Sequence, residues 1–322
     1  MPNLLLERYL SGKHAEVWHD LMILGSAVRG EPYYDDAVAV ASETMTRARH
    51  NVELIVQKLE KLGYRFTQEP DASEQAGFHL RPDGDAAKAI REKYLDPGFV
   101  PQNTEEQAMV AKLKRIEGTK QMMNKHASFF ASLQDAVAAR GRKAAPRKAV
   151  DHGSGSKDAD IFRPAGSKAT NDLDQLERKL RGPLPVSLRC WYERVGMVNL
   201  MGYHEVLNPA VGPVSSDPLV IDPVKEAAEA WFGSALEFER DEIELPLAPD
   251  DVHKAFGSGG DPYAMKLPDR AVDGAFLNER HHTTFVSYLR LVFQWGGFPG
   301  WDRSILQPSR ELDYLRENLL PI

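Results

Sequence analysis

Apolar residues recur with helical spacing in the first part of the chain. Their positions alternate by four and three residues, which places them on one stripe of a helix of about 25 residues; they are Ala41, Met45, Ala48, Val52, Ile55, Leu59 and Leu62. Asp35 and Asp36 precede the stripe, where the helix dipole favours negative charge, and Gly63 follows it, where a left-handed C-cap suits glycine. We therefore predict a long helix that ends near Gly63, preceded by a shorter helix over residues 14–24.

A second apolar repeat predicts another long helix. It follows Thr104, which forms a capping-box pattern with Gln107, and its positions recur every seven residues; they are Met109, Ile116, Met123, Phe130 and Val137. Two long helices with such stripes bury them against each other, so we predict an antiparallel helical bundle domain over residues 1–140. Residues 141–170 lose this periodicity and include basic, Gly-rich and Ser-rich stretches, which predicts a flexible linker.

The pattern changes beyond residue 170. Two amphipathic helical faces come first, four strand-like runs follow, and a strongly apolar helix over Thr283–Trp295 comes last. The helical faces are Leu173, Leu176 and Leu180, then Leu188, Trp191 and Val195, and the strand-like runs are Val198–Met201, Leu219–Ile221, Asp251–Phe256 and Pro262–Leu267. This order predicts an α+β domain over residues 171–307, followed by a C-terminal tail over residues 308–322.

The acidic residues are concentrated in the second part of the chain. The net charge of the 322 residues is −7, and residues 171–322 hold 15 Lys and Arg against 24 Asp and Glu. This surplus argues against nucleic acid as a ligand and suits a basic protein partner, although an acidic surface also serves solubility alone. The single cysteine excludes a disulfide within the chain, and no apolar run reaches the roughly 18–20 residues of a membrane helix, so we expect a cytoplasmic protein without membrane contacts.

Two features are candidates for partner binding. An acidic run contains Glu237, Glu239, Asp241, Glu242 and Glu244. It is interpreted either as a set of paired catalytic carboxylates or as a solvated charged surface that meets a basic partner, and we favour the surface. Trp301 closes an aromatic turn that begins at Trp295. This turn is either a plug that seals the core or an exposed contact of the kind enriched in binding hot spots.

Few residues suggest catalytic chemistry. Glu279, His281 and His282 form the most metal-like cluster, but adjacent histidines point in different directions, so we favour a polar segment that leads into the last helix. Cys190 lies in an amphipathic helix and is interpreted as a buried structural thiol. The sequence has no nucleophile elbow, P-loop or dinucleotide fingerprint, and we predict no catalytic residue, metal or cofactor.

Residues 170–307 resemble the SUKH superfamily, which takes in yeast cell-wall-assembly regulators and many bacterial toxin-immunity proteins. The resemblance lies in a leucine-rich helix followed by the Leu-Pro step and adjacent aromatic residues of Leu184–Glu193, in Tyr263–Leu267, and in Gly274–Arg290. It implies a mixed fold with a mainly antiparallel sheet flanked by helices. It also implies a protein that acts by binding other proteins, without catalysis.

We therefore predict a non-enzymatic protein-binding module of the immunity type, which neutralises a toxin such as a basic nuclease by forming a complex with it. A regulatory or scaffold protein whose helical domain oligomerises is the alternative. A metal-dependent hydrolase that uses Glu279, His281 or His282 is the least favoured interpretation.

Overall fold

The computed structural model describes residues 4–66, 161–166, 169–204, 206–207, 216–225, 243–255, 260–303 and 308–322, together with a few positions between 93 and 110. In these ranges the chain combines helices with small antiparallel sheets, which confirms the α+β class. None of the described helices is both long and apolar enough to cross a membrane.

The described N-terminal residues are helical. They form α1 (Leu4–Leu10), α2 (His14–Ile23), a 3₁₀ turn (Gly25–Arg29) and α3 (Tyr34–Lys61). The predicted stripe on α3 is confirmed, because every member is buried except Leu62, which is partly buried. Gly63 follows the helix with a φ of 74°, the left-handed conformation that suits glycine at a C-cap.

The main helical partner of α3 is α5 (Val186–Arg194), which belongs to the region that the sequence assigned to a second domain. Ser42 Oγ lies 3.7 Å from Cys190 Sγ, and the Arg49 side chain donates a hydrogen bond to the carbonyl oxygen of Arg194. The described residues of both regions therefore share one hydrophobic core, whereas the sequence predicted two domains joined by a linker. The periodicity predicted which face of α3 is buried, but it carried no information about the partner.

Several predicted segments fall on residues that are not described. The helix expected after Thr104 lies outside the described residues, apart from isolated positions such as Gln107, and most of the predicted linker lies outside them too. The end of that linker is described, and it contributes β2 (Phe162–Arg163) to a sheet.

Short antiparallel strands complete the core. β1 (Arg65–Phe66) pairs with β4 (Gly202–Tyr203), and β3 (Met197–Asn199) pairs with both β2 and β5 (Val220–Ile221). β6 (Ile243–Ala248) pairs with β7 (Tyr263–Leu267). β3, β5 and β7 lie where the sequence predicted strands, whereas β6 was not predicted.

The strand predicted over Asp251–Phe256 is wrong, because this segment begins as a short helix, α6 (Asp251–Lys254). The Asp250 carboxylate accepts hydrogen bonds from the backbone N–H groups of Val252 and His253, which is the N-cap arrangement that starts a helix. The cap turns the chain between β6 and β7 and directs Lys254 into the protein.

Both amphipathic faces predicted after residue 170 are buried, on α4 (Ala169–Leu180) and α5. The last predicted helix is α7 (Phe285–Gln294). Asp273 ties the beginnings of α5 and α7 together, because its carboxylate accepts hydrogen bonds from Ser187 Oγ at 2.6 Å and from the Val286 N–H at 3.1 Å. Burial raises the pKa of Asp273, and these hydrogen bonds oppose that rise.

The segment predicted as a C-terminal tail is packed against the fold. It follows a 3₁₀ turn (Pro299–Arg303) and contains α8 (Arg310–Arg316), which contacts α3. Leu312, Leu315 and Ile322 are buried there. These apolar residues are too few to show a helical repeat, which is why the sequence pattern did not reveal the docked helix.

Candidate functional site

Charged and polar side chains converge around α6 and the neighbouring residues 279–282. We name this group the α6 cluster; it consists of Asp217, Asp250, Asp251, His253, Lys254, Tyr263, Glu279, Arg280, His281 and Asp302. Carboxylates outnumber lysine and arginine side chains in this group, so its formal net charge is negative while the histidines are neutral.

A buried ion pair between Lys254 and Asp217 lies at the base of the α6 cluster. Lys254 Nζ lies 2.7 Å from Asp217 Oδ1, and the side chains of the two residues are 0% and 3% exposed. Tyr263 donates a hydrogen bond from its hydroxyl to Asp217 Oδ2 at 3.2 Å, and Lys254 Nζ lies 4.4 Å from the centre of the Tyr263 ring. Burial and the nearby Asp217 carboxylate raise the pKa of Tyr263, so its hydroxyl stays protonated and holds this carboxylate in place.

A second carboxylate orients an exposed imidazole. Asp250 Oδ2 lies 2.7 Å from His253 Nδ1, while Asp250 Oδ1 caps α6. Asp250 is buried, whereas the His253 side chain is 53% exposed. A carboxylate accepts hydrogen bonds, so Nδ1 carries the proton and Nε2 is left as the acceptor of the neutral ring.

Gly260 makes room for this carboxylate. A Cβ atom at Gly260 would lie 2.6 Å from Asp250 Cγ, and the glycine has a φ of 97°, which side chains rarely tolerate. The Gly260 backbone therefore lies so close to the Asp250 carboxylate that any side chain at this position would clash with it.

An ion pair between Asp251 and Arg280 connects α6 to residues 279–282. Burial is the main cause that raises the pKa of Asp251, Arg280 opposes the rise, and the carboxylates of Asp217 and Asp250 add to it. The carboxylates of Asp217, Asp250 and Asp251 are thus close enough to affect one another.

Glu279 and His281 are brought together, but His282 is not. Glu279 is buried, and its carboxylate accepts hydrogen bonds from the His281 backbone N–H and from Nδ1. His281 Nε2 lies 3.5 Å from Asp302 Oδ2, which is an ion-pair distance rather than a hydrogen bond. His282 has a φ of 53° and faces solvent. Within the described ranges, no three His, Cys, Asp or Glu residues are grouped as a metal site would require.

The candidate partner-binding residues lie in different surroundings. Glu237, Glu239, Asp241 and Glu242 lie outside the described residues. Glu244 is exposed on β6, directly opposite the exposed Lys266 of β7. Trp301 is only 5% exposed, and its Nε1–H donates a hydrogen bond to the Leu207 carbonyl oxygen at 3.1 Å. Of the two roles considered for the aromatic turn, the core plug is therefore the one that Trp301 fulfils.

Cys190 lies inside the core, as the sequence predicted. Burial raises the pKa of its thiol to about 11. Because the reactive species is the thiolate, Cys190 is poorly suited to nucleophilic chemistry near neutral pH.

The central members of the α6 cluster were not predicted. Asp217 and Lys254 are 37 residues apart, and no pattern in the sequence relates them. Asp250 did leave a signal, because aspartate is among the residues preferred at a helix N-cap. The apolar residues around it favoured a strand and concealed that signal.

Comparisons with known proteins do not assign the chain to a family. No family model, curated protein or solved structure matches it significantly.

Proposed function

We propose that this chain is a non-enzymatic protein-binding module that recognises a basic protein, and that it acts as an immunity-type protein which neutralises a toxin by direct complex formation. The α+β region after residue 170 would then be a SUKH-like domain, in keeping with its sequence resemblance and its order of two helices, strands and a closing helix. A cytoplasmic location belongs to the same proposal.

The observation that carries the proposal is the surplus of carboxylates in the α6 cluster and on β6; most of those in the cluster are buried, and Asp302 and Glu244 are the exposed ones. Its supporting charges, such as Asp217 and Lys254, are paired inside the protein, whereas the His253 side chain is 53% exposed and that of Asp302 is 42% exposed. Buried ion pairs and capped backbone hold such a surface in one arrangement, which reduces the entropy lost on binding. A negative surface also accelerates encounter with a basic partner and disfavours acidic ones.

Glu244 supports the same function from β6. It is the one described member of the acidic run, and it is exposed. Exposed carboxylates at the rim of an interface chiefly affect the association rate and its salt dependence. A complex with a basic toxin should therefore weaken when salt is added.

The proposal is tested by co-purifying the full chain with inactive forms of basic proteins encoded next to its gene. The complex is expected to survive gel filtration at low salt, and Glu244→Lys is expected to slow its association. Glu60→Lys, on the exposed side of α3, is the matched control and should leave association unchanged. If none of these proteins forms a complex, the immunity function is contradicted.

A regulatory or scaffold protein that oligomerises through its helices is the second candidate. Ile23 and Met22, at the end of α2, are 70% and 38% exposed, and such apolar residues suit self-association. The stripe on α3, in contrast, is already buried within the chain. The mass of the full chain in solution distinguishes the candidates, because a monomer at working concentration contradicts the scaffold.

A further inference from the structure

The residues that follow α8 are held against the fold chiefly through their main chain. We name residues 317–322 the strap. Asn51 on α3 forms two hydrogen bonds with the backbone of Leu320: Nδ2 donates to the carbonyl oxygen at 2.8 Å, and Oδ1 accepts from the N–H at 2.7 Å. Asn51 therefore satisfies both main-chain hydrogen-bonding groups of Leu320.

Three cationic side chains bind further carbonyl groups. Lys58 Nζ donates to the carbonyl oxygens of Tyr314, at 2.8 Å, and Glu317. Arg47 and Arg290 donate to the carbonyl oxygens of the last residues of the strap, Pro321 at 3.2 Å and Ile322 at 2.8 Å. Because α3 carries Asn51, Lys58 and Arg47 while α7 carries Arg290, two helices together form a groove that binds peptide backbone.

The strap itself contributes few buried side chains. Glu317, Asn318, Leu320 and Pro321 are exposed, and Leu319 is partly buried. Ile322 is the one strap side chain that is buried. Recognition therefore depends on main-chain hydrogen bonds and on a single apolar anchor.

The buried polar side chains of the groove need hydrogen-bonding partners from a peptide backbone. Asn51 and Lys58 are buried polar residues of α3, and burial is the main cause that lowers the pKa of Lys58. A buried donor or acceptor that loses its partner is costly, so the groove favours the docked strap or another backbone in its place.

We propose that α3 and α7 form a peptide-binding groove, that the strap is its ligand within the chain, and that a peptide from another protein binds there through its main chain when it displaces the strap. The fitting peptide carries a branched apolar residue two positions after the residue that pairs with Asn51, as Ile322 follows Leu320. This inference goes beyond the proposed function and does not depend on it.

A synthetic, fluorescein-labelled peptide with the sequence of residues 309–322 tests the groove by fluorescence anisotropy. The full wild-type chain should bind it weakly, because the strap occupies the groove. Ile322→Asp in the full chain removes the anchor of the strap but leaves the groove intact, and it should bind the peptide at least tenfold more tightly. Adding Asn51→Ala to that variant should remove most of the gain, because it removes the pair of main-chain hydrogen bonds.

Two modified peptides distinguish recognition of the peptide backbone from nonspecific hydrophobic binding. N-methylation of the residue equivalent to Leu320 removes only its N–H donor and should weaken binding about fivefold to tenfold. Replacing the same residue by alanine should have little effect, because the Leu320 side chain is exposed.

Circular dichroism establishes that each variant is folded. If Ile322→Asp unfolds the chain, the milder Ile322→Ala takes its place, with an expected gain of about threefold. The proposal is overturned if a folded strap variant binds the peptide no better than the wild-type chain. It is also overturned if the N-methylated peptide binds as well as the unmodified one.

Discussion

Lys254 Nζ and Asp217 Oδ1 lie 2.7 Å apart, and both side chains are buried. This ion pair connects α6 with the residues that lead into β5. Each charge has been removed from water and depends on the other for compensation, so the pair holds α6 in place. The exposed His253 is presented from this anchored helix.

Replacing Lys254 with methionine should therefore destabilise the protein strongly. The change leaves the Asp217 carboxylate buried without its cation, for which we expect a loss of about 3–5 kcal/mol in the free energy of unfolding. Urea denaturation measures it. Lys266→Met on the exposed face of β7 is the control, with an expected change within about 0.5 kcal/mol. Equal effects of the two substitutions would show that Lys254 is not in a buried ion pair.

Gly260→Ala should be more harmful than Gly63→Ala. Both glycines have positive φ, which costs other residues about 1–2 kcal/mol, but a Cβ atom meets nothing within 4 Å at Gly63 and lies 2.6 Å from Asp250 Cγ at Gly260. We expect the clash to add about 1–3 kcal/mol of destabilisation at Gly260. Thermal unfolding of both variants tests this, and a Gly260→Ala variant as stable as Gly63→Ala would contradict the close approach to Asp250.

The proton position on His253 depends on Asp250. Long-range ¹⁵N NMR spectra should show neutral His253 with its proton on Nδ1, because the Asp250 carboxylate accepts from that atom. In Asp250→Asn the side-chain amide can donate to Nδ1, so the proton should move toward Nε2. The exposed His282 provides the internal reference and should be unaffected. An unchanged proton position in Asp250→Asn would rule out this control by the carboxylate.

Cys190 should make stability depend on pH in the alkaline range. Its pKa is raised from 9.0 to about 11 by burial, so the folded protein retains the thiol proton more strongly than the unfolded chain. This contribution is fully present below about pH 9 and is lost as the pH rises toward 11, by roughly 2–3 kcal/mol in all. Urea denaturation between pH 8 and 11 measures the stability of the wild-type chain and of Cys190→Ala. The difference between the two pH curves isolates the contribution of Cys190, because the other groups titrate in both proteins. Parallel curves would contradict the raised pKa.

Local periodicity was enough to predict the longer helices α2, α3, α4, α5 and α7, but not the short α6 and α8. The stripe from Ala41 to Leu59 and the faces around Leu176 and Trp191 are buried where the spacing placed them. The contact between α3 and α5 was not predictable in the same way, because a stripe specifies that a face is buried and leaves its partner undetermined. Sequence reasoning therefore divided a shared core into two domains.

The candidate site could be predicted only in part. Burial of Lys254 depends on Asp217, which comes from a distant segment, and charged residues are usually exposed. For Trp301, both the core plug and the exposed contact fitted the sequence, and the distinction needed its hydrogen bond to Leu207. The sequence grouped Glu279, His281 and His282 as one cluster. The hydrogen bond between Glu279 and His281 and the separate orientation of His282 follow from backbone conformation, which the residue types did not reveal.

Recognition of a basic protein is tested most directly by titration calorimetry. The full chain would be titrated with each inactive basic protein encoded beside its gene, at low and at physiological salt. We predict a stoichiometric complex with at least one of them, weakened by salt and by about 1 kcal/mol, or roughly fivefold, in Glu244→Lys, but unchanged in Glu60→Lys. No binding to any of these proteins, or binding that is indifferent to both salt and Glu244→Lys, would contradict the account.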